Sequence, residues 1–151
     1  VVFIKEIVPK PAITFVANTV YKENYQTLPM KHQWEESQDS LHVAYLWKTK
    51  VWNKFAVKTD LNSIDMAVGS EEEFITEHFW GYTKLAANLT SEYQVKHPRW
   101  QVYPVNEYEI DVDFGANYGE DFAFLSQSKP NSVMLAEGSP ISVLKGTKLR
   151  S

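Results

Sequence analysis

With 151 residues, 44% of them hydrophobic and 14% aromatic, the chain can bury one sizeable core, and no apolar run approaches the roughly 20 residues of a membrane-spanning helix. A formal net charge of -4 with scattered lysines and arginines provides no basic stripe of the kind that nucleic acid binding demands. The absence of cysteine removes disulfides, thiolate metal sites and cysteine nucleophiles, and it fits a reducing, cytoplasmic setting with neither nucleic acid nor membrane as partner.

The chain opens directly on an extended-type run, Val2 to Val8, as if entered in mid-domain; its imperfect alternation suits a strand with one wet face. After Pro9, Pro11 stands where a helix tolerates proline, and Ile13, Val16, Ala17, Val20 and Tyr21 recur at three- and four-residue steps, which predicts a helix with one apolar stripe. The polar stretch from Leu28 to Asp39 reads as a connection or hairpin rim. Leu41 to Thr59 then reads as two strands around a turn near Lys48 to Lys50, because His42, Ala44 and Leu46 alternate with Leu41, Val43, Tyr45 and Trp47.

Ser70 with Glu73 three residues later is a capping-box pattern and predicts a short helix carrying Phe74 and Ile75. Gly81 and its aromatic neighbours favour extended chain, and Asn88-Leu89-Thr90 reads as a plain loop. Short strands are expected over Glu92 to Lys96, Trp100 to Pro104, Tyr108 to Asp113, Ser132 to Ala136 and Ile141 to Lys145, with Gly115 to Asp121 as a connection. Such spacing predicts an α+β, mainly β domain over residues 1–151: a curled antiparallel sheet or partly closed β-barrel with about two helices. Alternating βαβ units and glycine-rich nucleotide loops are missing, so a dinucleotide fold is not expected.

Candidate chemistry concentrates in Glu73 to Leu85 and His97 to Pro104, where bulky aromatics mix with titratable groups as the walls of a small-molecule pocket require. Phe79, Trp80, Tyr82, Trp100 and Tyr103 are the expected lining, with Glu77 and His78 beside them. Arg99 is placed to hold an anionic group, since a guanidinium matches a carboxylate bidentately. The same residues read equally as ordinary packing, with Arg99 in an ion pair and His97 holding a turn before Pro98. Glu77 and His78, if adjacent on a strand, point to opposite faces. Among the histidines His32, His42, His78 and His97 no metal-ligand spacing occurs, so neither a metal nor a cofactor is expected. Lys84, beside aromatics, is the one candidate nucleophile: a desolvated amine is what Schiff-base chemistry needs.

Taken in order, VVFIKEIVPKPAI, LPMKHQW, EEFITEHFWGYT, HPRWQVYPV, DFGANYGEDFAFL and SVMLAEGSPISV resemble the uncharacterised conserved-protein family of the YqjF type, domain of unknown function 2071. The resemblance implies an acetoacetate decarboxylase-like fold, a curled β structure around a cavity. It also implies that the chain is the C-terminal part of a longer family domain, with Lys145 to Ser151 close to the natural end. Gly81 to Leu85 resembles the GYPKK segment that holds the reactive lysine of acetoacetate decarboxylases, which matches Lys84 to that lysine, with Thr83 and Leu85 in place of its proline and its activating lysine. The leading expectation is a protein that binds a small molecule, a keto acid or other anion, in an aromatic-lined cavity. Two rivals stand beside it: a Schiff-base decarboxylase or aldolase-type enzyme using Lys84, and an interaction module without a ligand. A missing N-terminal portion would leave a sheet edge open near Val2 to Val8, through which a second copy would associate.

Overall fold

A computed structural model describes residues 4–150. The part of the expected Val2 to Val8 strand that precedes Ile4 lies outside the described residues; within them the strand is β1, Glu6–Val8. The predicted helix follows as α1, Pro11–Val16, with proline in its first turn, and continues as a π-helical turn over Ala17–Tyr21 that ends on Lys22 in the left-handed region at φ 59°. Strand β2, Tyr25–Thr27, returns parallel to β1 with Glu6 beside Tyr25. A strand, helix and parallel strand thus occur in succession once among the described residues, without the repetition that a doubly wound sheet requires.

The main sheet contains β3 (Met30–Glu36), β4 (Leu41–Lys48), β5 (Trp52–Thr59) and β10 (Val105–Asp111), all antiparallel in the order β10-β5-β4-β3. The β4–β5 hairpin is the one its alternation predicts, and Leu41, Val43, Trp47 and Ala56 from it are buried. Strand β3 corrects the reading of Leu28 to Asp39 as a connection: seven consecutive residues pair with β4, from Met30 opposite Trp47 to Glu36 opposite Leu41. It is an edge strand, almost wholly exposed, so no apolar alternation marks it, and charge at an edge discourages stray pairing.

Around this sheet lie β6 (Ile64–Asp65), β9 (Gln101–Tyr103) and β11 (Leu135–Ala136), which form a second antiparallel sheet. A third centres on β8 (Leu89–Lys96). One edge of β8 takes β7 (Trp80–Ala86), and the other takes β12 (Ser142–Val143) and β13 (Thr147–Arg150). The predicted capping-box helix is α2, Glu71–Thr76, with the Ser70 side chain accepting from the Glu73 amide at 3.2 Å. The stretch Gly115 to Asp121, expected to be a connection, falls instead in α3, Phe114–Tyr118, and a 3-10 stretch over Glu120–Gln127. Glycine and asparagine are poor helix formers, so the helix is held by its Asp113 cap on the Ala116 amide (2.8 Å) and by tertiary bonds rather than by propensity.

Those bonds form a buried polar network. Asn53 and Asn117, at 0% and 2% exposure, meet where α3 lies on the hairpin. Asn117 Nδ2 donates to Asn53 Oδ1 at 2.8 Å, and Trp47 Nε1 donates to Asn117 Oδ1 at 2.7 Å. The Asp113 amide also donates to Asn53 Oδ1, at 3.0 Å, while Asn53 Nδ2 reaches Thr49 Oγ1 and the Val51 carbonyl at 3.2 Å each and so closes the hairpin turn.

The architecture is thus mainly β with few helices, as expected, but its sheets are open. Among the described residues no ladder returns on itself, so the curled or partly closed barrel is not what the strands form. Both outer edges of the main sheet are free of a described partner. The surface is correspondingly large, 10620 Å², where a compact monomer of this length exposes roughly 7,900 Å².

Replacing Asn117 by alanine orphans Trp47 Nε1 inside the network. The expected loss is about 1–3 kcal/mol for each group left buried and unpaired, read as a lower urea midpoint by circular dichroism.

Candidate functional site

Two hollows concentrate polar chemistry on apolar walls. The first, of about 390 Å³, is lined by Glu77, His78, Phe79, Trp80 and Tyr82, so the structure brings together five of the residues singled out from sequence. Glu77 and His78 are not on a strand, as read from sequence, but in the turn between α2 and β7. There His78 Nδ1 donates to the Phe74 carbonyl and its ring meets Phe74 edge-on at 4.8 Å. Phe79 packs on His97 at 5.0 Å, and His97 stacks on Trp100 at 4.1 Å with 21° between planes. His97 Nδ1 donates to the Pro98 carbonyl at 2.8 Å, the turn-holding role expected of it. Trp100 therefore joins this aromatic group through His97, with its Nε1 donating to Ser139 Oγ at 2.8 Å. Glu77 Oε1 is buried here with no hydrogen-bond partner among the described residues.

The other expected site residues stand apart. Arg99 is engaged by Glu73 at 2.5 Å and donates to the Met66 carbonyl at 3.2 Å. The Glu73 carboxyl, which also accepts from the Gly69 amide, is held below its ordinary pKa by that backbone bond first and by Arg99 second. Tyr103 lies on β9 opposite Leu135, in a different sheet. Lys84 is exposed on β7, opposite Thr90; alternation along β7 puts it with Trp80 and Tyr82, on the face away from Gly81 and Thr83.

The second hollow was not read from sequence. It measures about 500 Å³ and runs along α1, with Ala12, Ile13, Val16, Ala17 and Tyr21 on one side and Val143 of β12 on another. The apolar stripe of α1 thus faces a cavity rather than a packed core, which leaves Ile13 44% and Val16 46% exposed. At one end stand Glu23, Tyr25 and Tyr93. The Thr83 hydroxyl, itself buried, donates to the Glu23 carboxylate, and the Tyr93 phenol lies near the same group. Behind them Tyr25 reaches Glu6, its neighbour across the parallel β1–β2 pair.

Burial chiefly, and then the nearby carboxylates, push the Tyr25 phenol up to about 12 and raise that of Tyr93. Burial also raises the Glu6 carboxyl; the Tyr25 hydrogen bond opposes this and the Glu23 charge adds to it. Sequence holds one usable signal for this place: Gly81 pairs with Tyr93 across β7–β8, and a Cβ at Gly81 would lie 2.3 Å from Tyr93 Cζ. Only glycine leaves room for that ring.

Fold and sites together define a mainly β domain whose hollow along α1 has apolar walls and a carboxylate–phenol end. The chain belongs to DUF2071, a family of uncharacterized conserved proteins, whose model matches residues 1–140. No curated protein and no solved structure matches it.

Glu6 yields a pH prediction. A carboxyl with a raised folded pKa binds its proton more tightly in the folded chain, so it costs stability above that pKa, and the cost disappears below the ordinary value of 4.5. Glu6→Gln should raise the melting temperature at pH 7, with the gain over the unsubstituted chain shrinking toward pH 4 in a buffer series. A second variant addresses the ring: Gly81→Ala must displace Tyr93, and is expected to lower the melting temperature and change the near-ultraviolet circular dichroism of the tyrosines.

Proposed function

We propose that this DUF2071 domain binds a small organic molecule, and that the hollow along α1 receives it. The observation that carries this reading is the composition of that hollow: about 500 Å³ of space with aliphatic and aromatic walls and a few convergent polar groups at one end, which is how small-molecule sites are built. A keto acid or other anion finds less support there, because the polar end holds the Glu23 carboxylate, with Glu6 behind it.

The aromatic hollow at Glu77, His78, Phe79, Trp80 and Tyr82 is the second reading, favoured by the unpartnered Glu77 Oε1. Its expected anion anchor, Arg99, is engaged by Glu73, and Trp100 and Tyr103 lie outside its lining. The Schiff-base reading has the least in its favour, since Lys84 is exposed rather than desolvated. Kinship with the acetoacetate decarboxylase-like fold is part of the proposal and draws support from the antiparallel, mainly β layout. A second copy of the chain, docked across a free edge of β1, β3 or β10, would cover apolar surface that these open sheets expose.

Differential scanning fluorimetry against amines, alcohols, aromatic carboxylates and keto acids tests the reading. At least one apolar class should raise the melting temperature, and Ala12→Trp, which fills the α1 hollow from an exposed position, should remove the shift. A shift that survives Ala12→Trp and disappears in Trp80→Ala would move the site to the aromatic hollow. Silence across the panel would end the small-molecule reading.

A further inference from the structure

The polar end of the α1 hollow has an unbalanced charge. Glu23 lines it and Glu6 stands one tyrosine behind, each half-buried, and both raise the cost of ionising the phenols between them. Among the described residues the ion pairs lie elsewhere, at Lys54–Glu109, Lys58–Glu107 and Arg99–Glu73, so neither carboxylate has a cationic side chain within 4.0 Å. Lys5, next to Glu6 in the chain, donates instead to the Asn117 carbonyl at 2.5 Å. Half-buried carboxylates without a counterion are unfavourable, and a ligand cation placed among them gains charge-assisted hydrogen bonds. The rings of Tyr21, Tyr25 and Tyr93 add π faces, which attract ammonium groups.

The remaining wall says what else the occupant carries. Ile13, Val16 and Val143 present hydrocarbon, which a bare metal ion would leave in contact with water and an apolar chain would cover. We propose that this pocket binds a protonated amine carrying an apolar body, with its ammonium group against Glu23 and the tyrosines and its hydrocarbon along Ile13, Val16 and Val143. The assignment rests on the small-molecule reading above and narrows it to organic cations.

Isothermal titration calorimetry of the whole chain with 4-phenylbutylamine, 4-phenylbutanol and 4-phenylbutyrate separates the two claims, because the probes share a body and differ in head-group charge. The amine should bind at least about tenfold more tightly than the alcohol, and the carboxylate should bind most weakly. Glu23→Gln should remove most of the amine's preference over the alcohol, bringing their affinities to within about threefold, and Val16→Trp should abolish both. Alcohol or carboxylate binding as tight as the amine overturns the cation assignment while leaving a small-molecule pocket in place. No heat from any probe overturns both. Amine binding that persists in Val16→Trp places it elsewhere and also overturns the assignment. The three-probe comparison on the unsubstituted chain decides the matter even if a variant does not fold.

Discussion

The Asn53–Asn117 pair is the contact on which the arrangement turns. Each amide is fully buried and each is fully used: Asn53 holds the hairpin turn with its nitrogen and the start of α3 with its oxygen, while Asn117 joins Trp47 of β4 to Asn53. A buried network of this kind is favourable only when complete, since any member left unpaired forfeits its hydration without replacement. It therefore fixes α3 on the sheet in one position. The Asn117 carbonyl then takes Lys5, which anchors the strand leading into α1. With Lys5 committed to α3, Glu6, beside Tyr25 in the β1–β2 pair, is left without the lysine that precedes it in the chain. The charge imbalance of the α1 hollow is in that sense a consequence of how the core is tied.

The open sheets have their own physical consequence. The buried apolar residues are few and include several alanines, whereas Phe15, Val20, Phe74 and Phe124 are each more than 60% exposed. Scattered exposed apolar side chains are ordinary, but here they accompany free sheet edges and a surface well above that of a compact monomer. Hollows on such a surface are walled on some sides and open on others. Enclosing the hollow would need further apolar surface set against α1 and β12.

What the sequence made legible follows from which forces act locally. The β4–β5 hairpin and α1 were readable because each carries its own period of apolar residues, and α2 because Ser70 and Glu73 mark its start. Strand β3 was not, since an exposed edge strand needs no apolar face, and α3 was not, since its stability comes from Asn53 and Trp47, more than 60 residues away in the chain. The aromatic hollow was partly legible because Glu77 to Tyr82 is one continuous segment. The α1 hollow was not, because Glu6, Glu23, Thr83 and Tyr93 come from β1, the turn after α1, β7 and β8, and only strand register brings them together.

Register also decides how the segment Gly81 to Leu85 should be understood. Successive residues of a strand face opposite ways, so placing Thr83 against Glu23 directs Lys84 outward. A shift of one residue along β7 would reverse both. That shift is opposed by Gly81, which must lie under the Tyr93 ring: moving Trp80 or Tyr82 into its place would drive a side chain into that ring, where even a single added carbon would sit at 2.3 Å. The glycine of this segment thus secures the position of the tyrosine and, through β7, of the threonine that binds Glu23. On this geometry the segment serves the α1 hollow through Gly81 and Thr83, with the lysine between solvent and the exposed aromatics of the outer face.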